Sequence, residues 1–148
     1  MPAEPSGLEE LDALRERIRA LLSGRDMAEL AATPPNGAWS VVENLRHLLF
    51  AEQAHIGHLL PTPPAFSALG LPPPGMMGNK RVGVAGTEPT TDAFKVLAEW
   101  DAAHAAVAPQ LPTPDPKFEV RLGKHIKHLR LHLGIIERLL RQADKAKS

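Results

Sequence analysis

The 148-residue chain reads as an all-α protein, a four-helix bundle with one long crossover between its second and third helices. Three observations predict this. Apolar residues recur at spacings of three and four along four separate stretches, the mark of helices with one buried face. Strand-like alternation is nearly absent. Between the second and third stretches, Pro61 to Pro89 holds seven prolines and five glycines and cannot keep a regular helix. Short links make helices one and two antiparallel, and likewise three and four. The crossover is long enough for helices two and three to run parallel, giving an up-down-down-up order within a single domain over residues 1–148.

The first helix opens on Ser6-Gly-Leu-Glu9, a capping box in which serine and glutamate satisfy orphan amides reciprocally. Leu8, Leu11, Leu14, Ile18, Leu21 and Leu22 then recur at helical spacing, and Ser23-Gly24 ends the run. Asp26 caps a short turn through Ala31, and Thr33-Pro-Pro-Asn-Gly37 is a loop. Ser40-Val-Val-Glu43 is a second capping box, opening a helix to about Leu60. Its main apolar stripe is Val41, Leu45, Leu48, Ile56 and Leu59; a second stripe holds His47, Ala51, Ala54 and His58. Only Glu43, Arg46 and Gln53 mark a polar sector, so this helix should be surrounded by neighbours, although His47 stands off the centre of the main stripe.

The third helix should start near Thr90 or Thr91, with Ala93, Leu97, Trp100, His104, Val107 and Leu111 on one face. Pro109 and the proline run through Pro116 stop it. The last helix spans about Phe118 to Ala143, with Leu122, Ile126, Leu129, Leu133, Ile136 and Leu140 as its core stripe. His125, His128 and His132 lie immediately beside that stripe, on the inward half of the helix.

Composition excludes several classes of function. Seventeen basic residues balance seventeen acidic ones, so the chain lacks the basic excess that nucleic-acid binding normally requires. There is no cysteine, hence no disulfide, thiolate ligand or cysteine nucleophile. No signal-peptide pattern and no apolar run of about 20 residues is present, so the expectation is a soluble, cytoplasmic protein without a membrane partner.

The chemistry lies in the histidines. Residues four apart on a helix stand on one face, so His128 and His132 can grip one cation, and His47 is a third candidate ligand from another helix. Three neutral imidazoles with coordination positions to spare suit a metal that does chemistry. Whether the three levels coincide depends on packing. His125 is about 10 Å along the axis from His132, too far to share one metal simply, and reads as pocket-lining or, equally, as surface. His58 is about 16 Å beyond His47 by the same rise, and His55 and His104 read as core or helix-end residues. Glu43, Glu52, Asp101 and Glu137 form no obvious carboxylate cluster, which disfavours a di-iron bundle site.

From Leu8 to about Leu140 the chain resembles the DinB/YfiT-like superfamily of metal-dependent enzymes. The matching parts are the loop before Trp39-Ser40, the helix start Trp39-Ser-Val-Val-Glu-Asn-Leu-Arg-His47-Leu, and His128-Leu-Arg-Leu-His132-Leu. The resemblance implies that His47, His128 and His132 meet around one divalent metal (Zn, Ni or Fe) at one end of a DinB-like bundle. It further implies a thiol-dependent S-transferase using a low-molecular-weight thiol such as bacillithiol on a small electrophilic substrate, and a homodimer. Ile135 replaces a glutamine common three residues after the second histidine of that motif, and His125 is an additional histidine. In this reading a thiolate attacks a substrate held under the Pro61–Pro89 loop. The alternatives are hydrolysis by metal-activated water, a non-catalytic metal- or ligand-binding stress-response bundle, or a helical partner-binding module.

Overall fold

The computed structural model describes residues 6–57, 60, 67–71, 91–107 and 116–147. All regular structure among them is helical: α1 Ser6–Leu22, α2 Met27–Ala31, α3 Val41–His55, α4 Ala93–Ala105 and α5 Pro116–Lys147. The side chain of Ser6, expected to cap α1, lies outside the described residues, as do His58, Leu59, Leu111 and most of the Pro61–Pro89 segment.

Helix α1 ends before Gly24, whose φ of 76° is a left-handed conformation open to glycine and strained for other residues. Asp26 caps α2 through its side chain, as expected. The second capping box is complete. Glu43 N donates to Ser40 Oγ at 3.1 Å, and Ser40 N donates to the Glu43 carboxylate at 3.0 Å.

Four helix ends differ from expectation. Helix α3 stops at His55 rather than near Leu60. Its last carbonyls are taken by a side chain from α5: Arg121 donates to His55 O at 3.1 Å and to Ala54 O at 3.3 Å. Gly57 follows two residues later, and a glycine inside a helix costs about 1 kcal/mol relative to alanine. Helix α4 is capped by Asp92, which accepts from Phe94 N and Lys95 N, and so starts later than Thr91. Helix α5 starts at Pro116, where a missing N–H is harmless and the fixed φ is already helical. It runs on to Lys147, and near its end Asp144 pairs with Arg25 at 2.6 Å.

Helix α3 is the centre of the molecule. Twelve of its residues are buried, Arg46 and Gln53 of the expected polar sector among them. Residues 67–71 lie across that sector. Arg46 Nε donates to Leu69 O at 2.8 Å, Ser67 N donates to Gln53 Oε1 at 2.9 Å, and Leu71 N donates to Arg46 O at 3.0 Å. A Cβ on Gly70 would stand 3.2 Å from Phe50 Cβ, so glycine allows this close approach. The core stripe of α5 is buried as expected, from Leu122 to Leu140.

The contacts between helices follow a definite order. Arg130 pairs with Glu10, Arg17 with Glu137 and Arg25 with Asp144, so partner numbers rise together between the N-terminal part and α5. Between α3 and α5 they run oppositely: Asn44 meets His132, His47 meets His128, and His55 meets His125. Between α1 and α4, Asp12 meets His104, while Arg15 and Arg19 both meet Asp101. No described helix is long and apolar enough to cross a membrane.

Candidate metal centre

His47 stands on α3, two turns beyond the Ser40 cap, with its ring buried at 7% exposure and Trp39 against it at 5.1 Å between centroids. His132 on α5 is equally buried, and His128, one turn earlier, is half-buried. The three expected ligands meet. His128 Nε2 is 3.2 Å from His47 Nε2 and 3.2 Å from His132 Nε2. One nitrogen of each ring lies within 4.8 Å of the other two.

The surroundings of these rings determine what those nitrogens can do. Asn44 Nδ2 donates to Ser40 O at 2.9 Å, which leaves Asn44 Oδ1 facing His132 Nδ1 at 2.8 Å. An amide oxygen only accepts, so His132 carries its proton on Nδ1. His47 Nδ1 faces Leu71 O at 3.0 Å and carries its proton there for the same reason. In the neutral rings, therefore, both Nε2 atoms present lone pairs to His128 Nε2. That nitrogen can donate to one of them at most. The remaining lone-pair clash is relieved by a cation among the three. Imidazole nitrogens about 2.0–2.1 Å from a tetrahedral metal sit about 3.3 Å apart, close to the separations seen. The donor set thus fits a divalent metal, and the Asn44 and Leu71 contacts are the outer hydrogen bonds that usually orient metal-binding histidines.

The rings are also held neutral. Burial pushes His128 down to about 4, helped by His47 and His125 nearby. Burial likewise brings His132 to about 4, with His128 and His47 adding to it. His47 is lowered by burial, against the opposing pull of the Leu71 carbonyl. Neutral rings are the form that binds metal.

Four residues that the sequence reading set aside form a second constellation behind the first. His125 is fully buried, which removes the surface alternative. Its Nδ1 is 3.2 Å from His55 Nδ1, and its Nε2 is 3.6 Å from Glu52 Oε1. Glu52 is buried on α3. Its Oε1 accepts from Trp100 Nε1 at 3.0 Å, and its Oε2 faces His104 Nδ1 at 3.2 Å. Burial alone would raise this carboxyl, but the hydrogen bond from His104 and the nearby His125 ring outweigh it and hold Glu52 at about 2. His104 lies between Glu52 and Asp12, with Nε2 2.6 Å from Asp12 Oδ1. Burial lowers it, yet the bond to Glu52 prevails and its pKa is raised. The overlooked signal was Glu52 itself. Leu45, Leu48, Glu52 and Ile56 continue one helical stripe, so a carboxylate there enters the core and needs partners.

The family model of the DinB superfamily matches residues 10–136. No curated protein and no solved structure matches the chain. The matched span includes α3, α4 and the part of α5 that bears His128 and His132. The chain belongs to the DinB superfamily.

Proposed function

We propose that this protein is a metal-dependent enzyme in which His47, His128 and His132 hold one divalent cation, zinc, nickel or iron, and that it transfers a low-molecular-weight thiol to a small electrophilic substrate. The observation that supports the metal most strongly is the convergence of three ring nitrogens whose outer partners fix two of them as lone-pair donors. The absence of cysteine from the chain favours an external thiol as the sulfur source. Bound at this site, a cation would lower the pKa of a thiol in its coordination sphere and keep it as thiolate at neutral pH.

The protein's own contribution is positioning. Asn44 and Leu71 O hold His132 and His47 in the metal-binding tautomer, so little reorganisation is needed on loading. Trp39 forms an aromatic wall against His47. The Pro61–Pro89 segment lies outside the described residues except for 67–71, of which Leu71 reaches the site through its carbonyl.

The same proposal includes the architecture. The ordered pairings between helices support a single-domain bundle in which α1 and α5 run one way and α3 and α4 the other, joined by the 56–92 crossover. A homodimer without nucleic-acid or membrane partners completes the reading.

Two experiments test it. Protein purified without a histidine tag should retain metal after dialysis, and His47→Ala, His128→Ala and His132→Ala should each weaken that binding. Retained stoichiometric metal in all three would overturn the site. Incubation with a panel of thiols and electrophiles, followed by mass spectrometry, should show a thioether product with the metal-loaded protein. Metal binding without any thiol transfer would favour the non-catalytic bundle.

A further inference from the structure

His128 belongs to two groups of rings. Its Nε2 faces His47 and His132, and the ring also has a nitrogen within 4.8 Å of nitrogens from His55 and His125. A cation on Nε2 leaves the proton of a neutral His128 on Nδ1. That atom is buried, and no described residue offers it a hydrogen-bond partner. Metal-bound histidines nearly always have such a partner for the second nitrogen, as His47 and His132 do here.

The other two rings are arranged as ligands. Glu52, ionised and fixed by Trp100, stands beside His125 Nε2 and favours the proton on that side. The His125 Nδ1 lone pair then points to His55 Nδ1, 3.2 Å away. His55 and His128 rings lie edge to face with centroids 5.5 Å apart. Glu52 Oε1 is 3.6 Å from His125 Nε2, an ion-pair separation longer than the 2.8 Å hydrogen bond between Asn44 and His132, and His125 Nε2, like His128 Nδ1, is buried with no hydrogen-bond partner among the described residues.

We propose that the chain binds a second divalent cation between His55, His125 and His128, with the His128 ring shared between the two metals. The Nδ1 proton leaves to solvent as the second cation binds, and the ring bridges the ions through both nitrogens. Glu52 is the positioning residue for His125. The proposal rests on the first metal site, because the bridge exists only if His128 Nε2 is already engaged there.

Equilibrium dialysis against Zn²⁺ followed by elemental analysis is the first test. Two equivalents are expected in the unaltered chain and one in His55→Ala and His125→Ala. Glu52→Gln should weaken the second equivalent about 10- to 100-fold and spare the first. One equivalent in the unaltered chain, unchanged in His55→Ala and His125→Ala but lost in His47→Ala, would overturn the second site while the first stands. In that case the His55–His125 contact is a hydrogen bond only. One equivalent lost in His55→Ala but kept in His47→Ala would overturn the bridged pair and the three-histidine reading together. A second test needs no variant. Loading with Cu²⁺ to two equivalents should diminish the paramagnetic resonance signal per copper relative to one equivalent, through coupling across the shared ring. Two independent, full-intensity copper signals would overturn the bridge.

Discussion

Replacing Asn44 with alanine separates the metal-orienting role of this residue from its structural one. The side chain makes two buried hydrogen bonds, to Ser40 O at 2.9 Å and to His132 Nδ1 at 2.8 Å. Ser40 O keeps the bond from the backbone N–H of residue 44, so that loss is about 1 kcal/mol net, while the His132 ring N–H left without a partner costs about 1–3 kcal/mol, and the metal-free fold should lose about 2–4 kcal/mol. The effect on metal is distinct. His132 would no longer be held with its proton on Nδ1, and loss of such an outer contact lowers metal affinity about 10- to 100-fold. That corresponds to about 1.4–2.8 kcal/mol. Asn44→Asp gives the contrast, because it keeps an acceptor for His132 while setting an acidic oxygen against Ser40 O in place of the donor. Competition for Zn²⁺ against a chromophoric chelator at neutral pH measures the affinity, and urea unfolding of the metal-free proteins measures the fold. Both variants should be destabilised, and only Asn44→Ala should bind zinc more weakly. An Asn44→Ala protein with lowered stability and unchanged zinc affinity would refute the argument that the Asn44 contact prepares His132 for metal.

Other consequences follow from the same contacts. The metal-free protein should become less stable as pH falls from about 6.5 to about 4. His55, His128 and His132 sit near 4 in the fold and His47 is lowered, so in that window the unfolded chain binds more protons than the folded one. His104, which is raised, acts elsewhere: its contribution is full below 6.5 and fades as pH rises through its folded value. Denaturant titrations of chelator-treated protein across that window would show the trend, and a flat profile would count against neutral buried rings. Glu52 contributes above its ordinary value of 4.5, and that contribution disappears as pH falls toward 2, so Glu52→Gln should flatten the acid limb below pH 4.5. Gly70→Ala should push residues 67–71 away from Phe50 and, through Leu71 O, loosen His47, measurable as weaker zinc binding with α3 helicity retained. Ser40→Ala should cost about 1 kcal/mol of stability through loss of the cap, read by thermal unfolding.

The helices were legible because burial enforces their periodicity. The α5 stripe from Leu122 to Leu140 and the Ser40–Glu43 box are found where the pattern puts them. Helix ends were less so, since Arg121, which takes the last carbonyls of α3, is remote in sequence. His47 looked off-centre on a wheel that assumed one buried face, whereas residues 67–71 cover α3 from another side. The histidine trio was legible from spacing and resemblance. The Glu52–His125–His55 constellation was not, because each of its members is ordinary alone and only packing brings them together.

The most direct measurement is anomalous diffraction from crystals of the zinc-loaded protein. A peak about 2.0–2.1 Å from Nε2 of His47, His128 and His132 is expected. Zinc at saturating concentration with no peak between those three rings would contradict it.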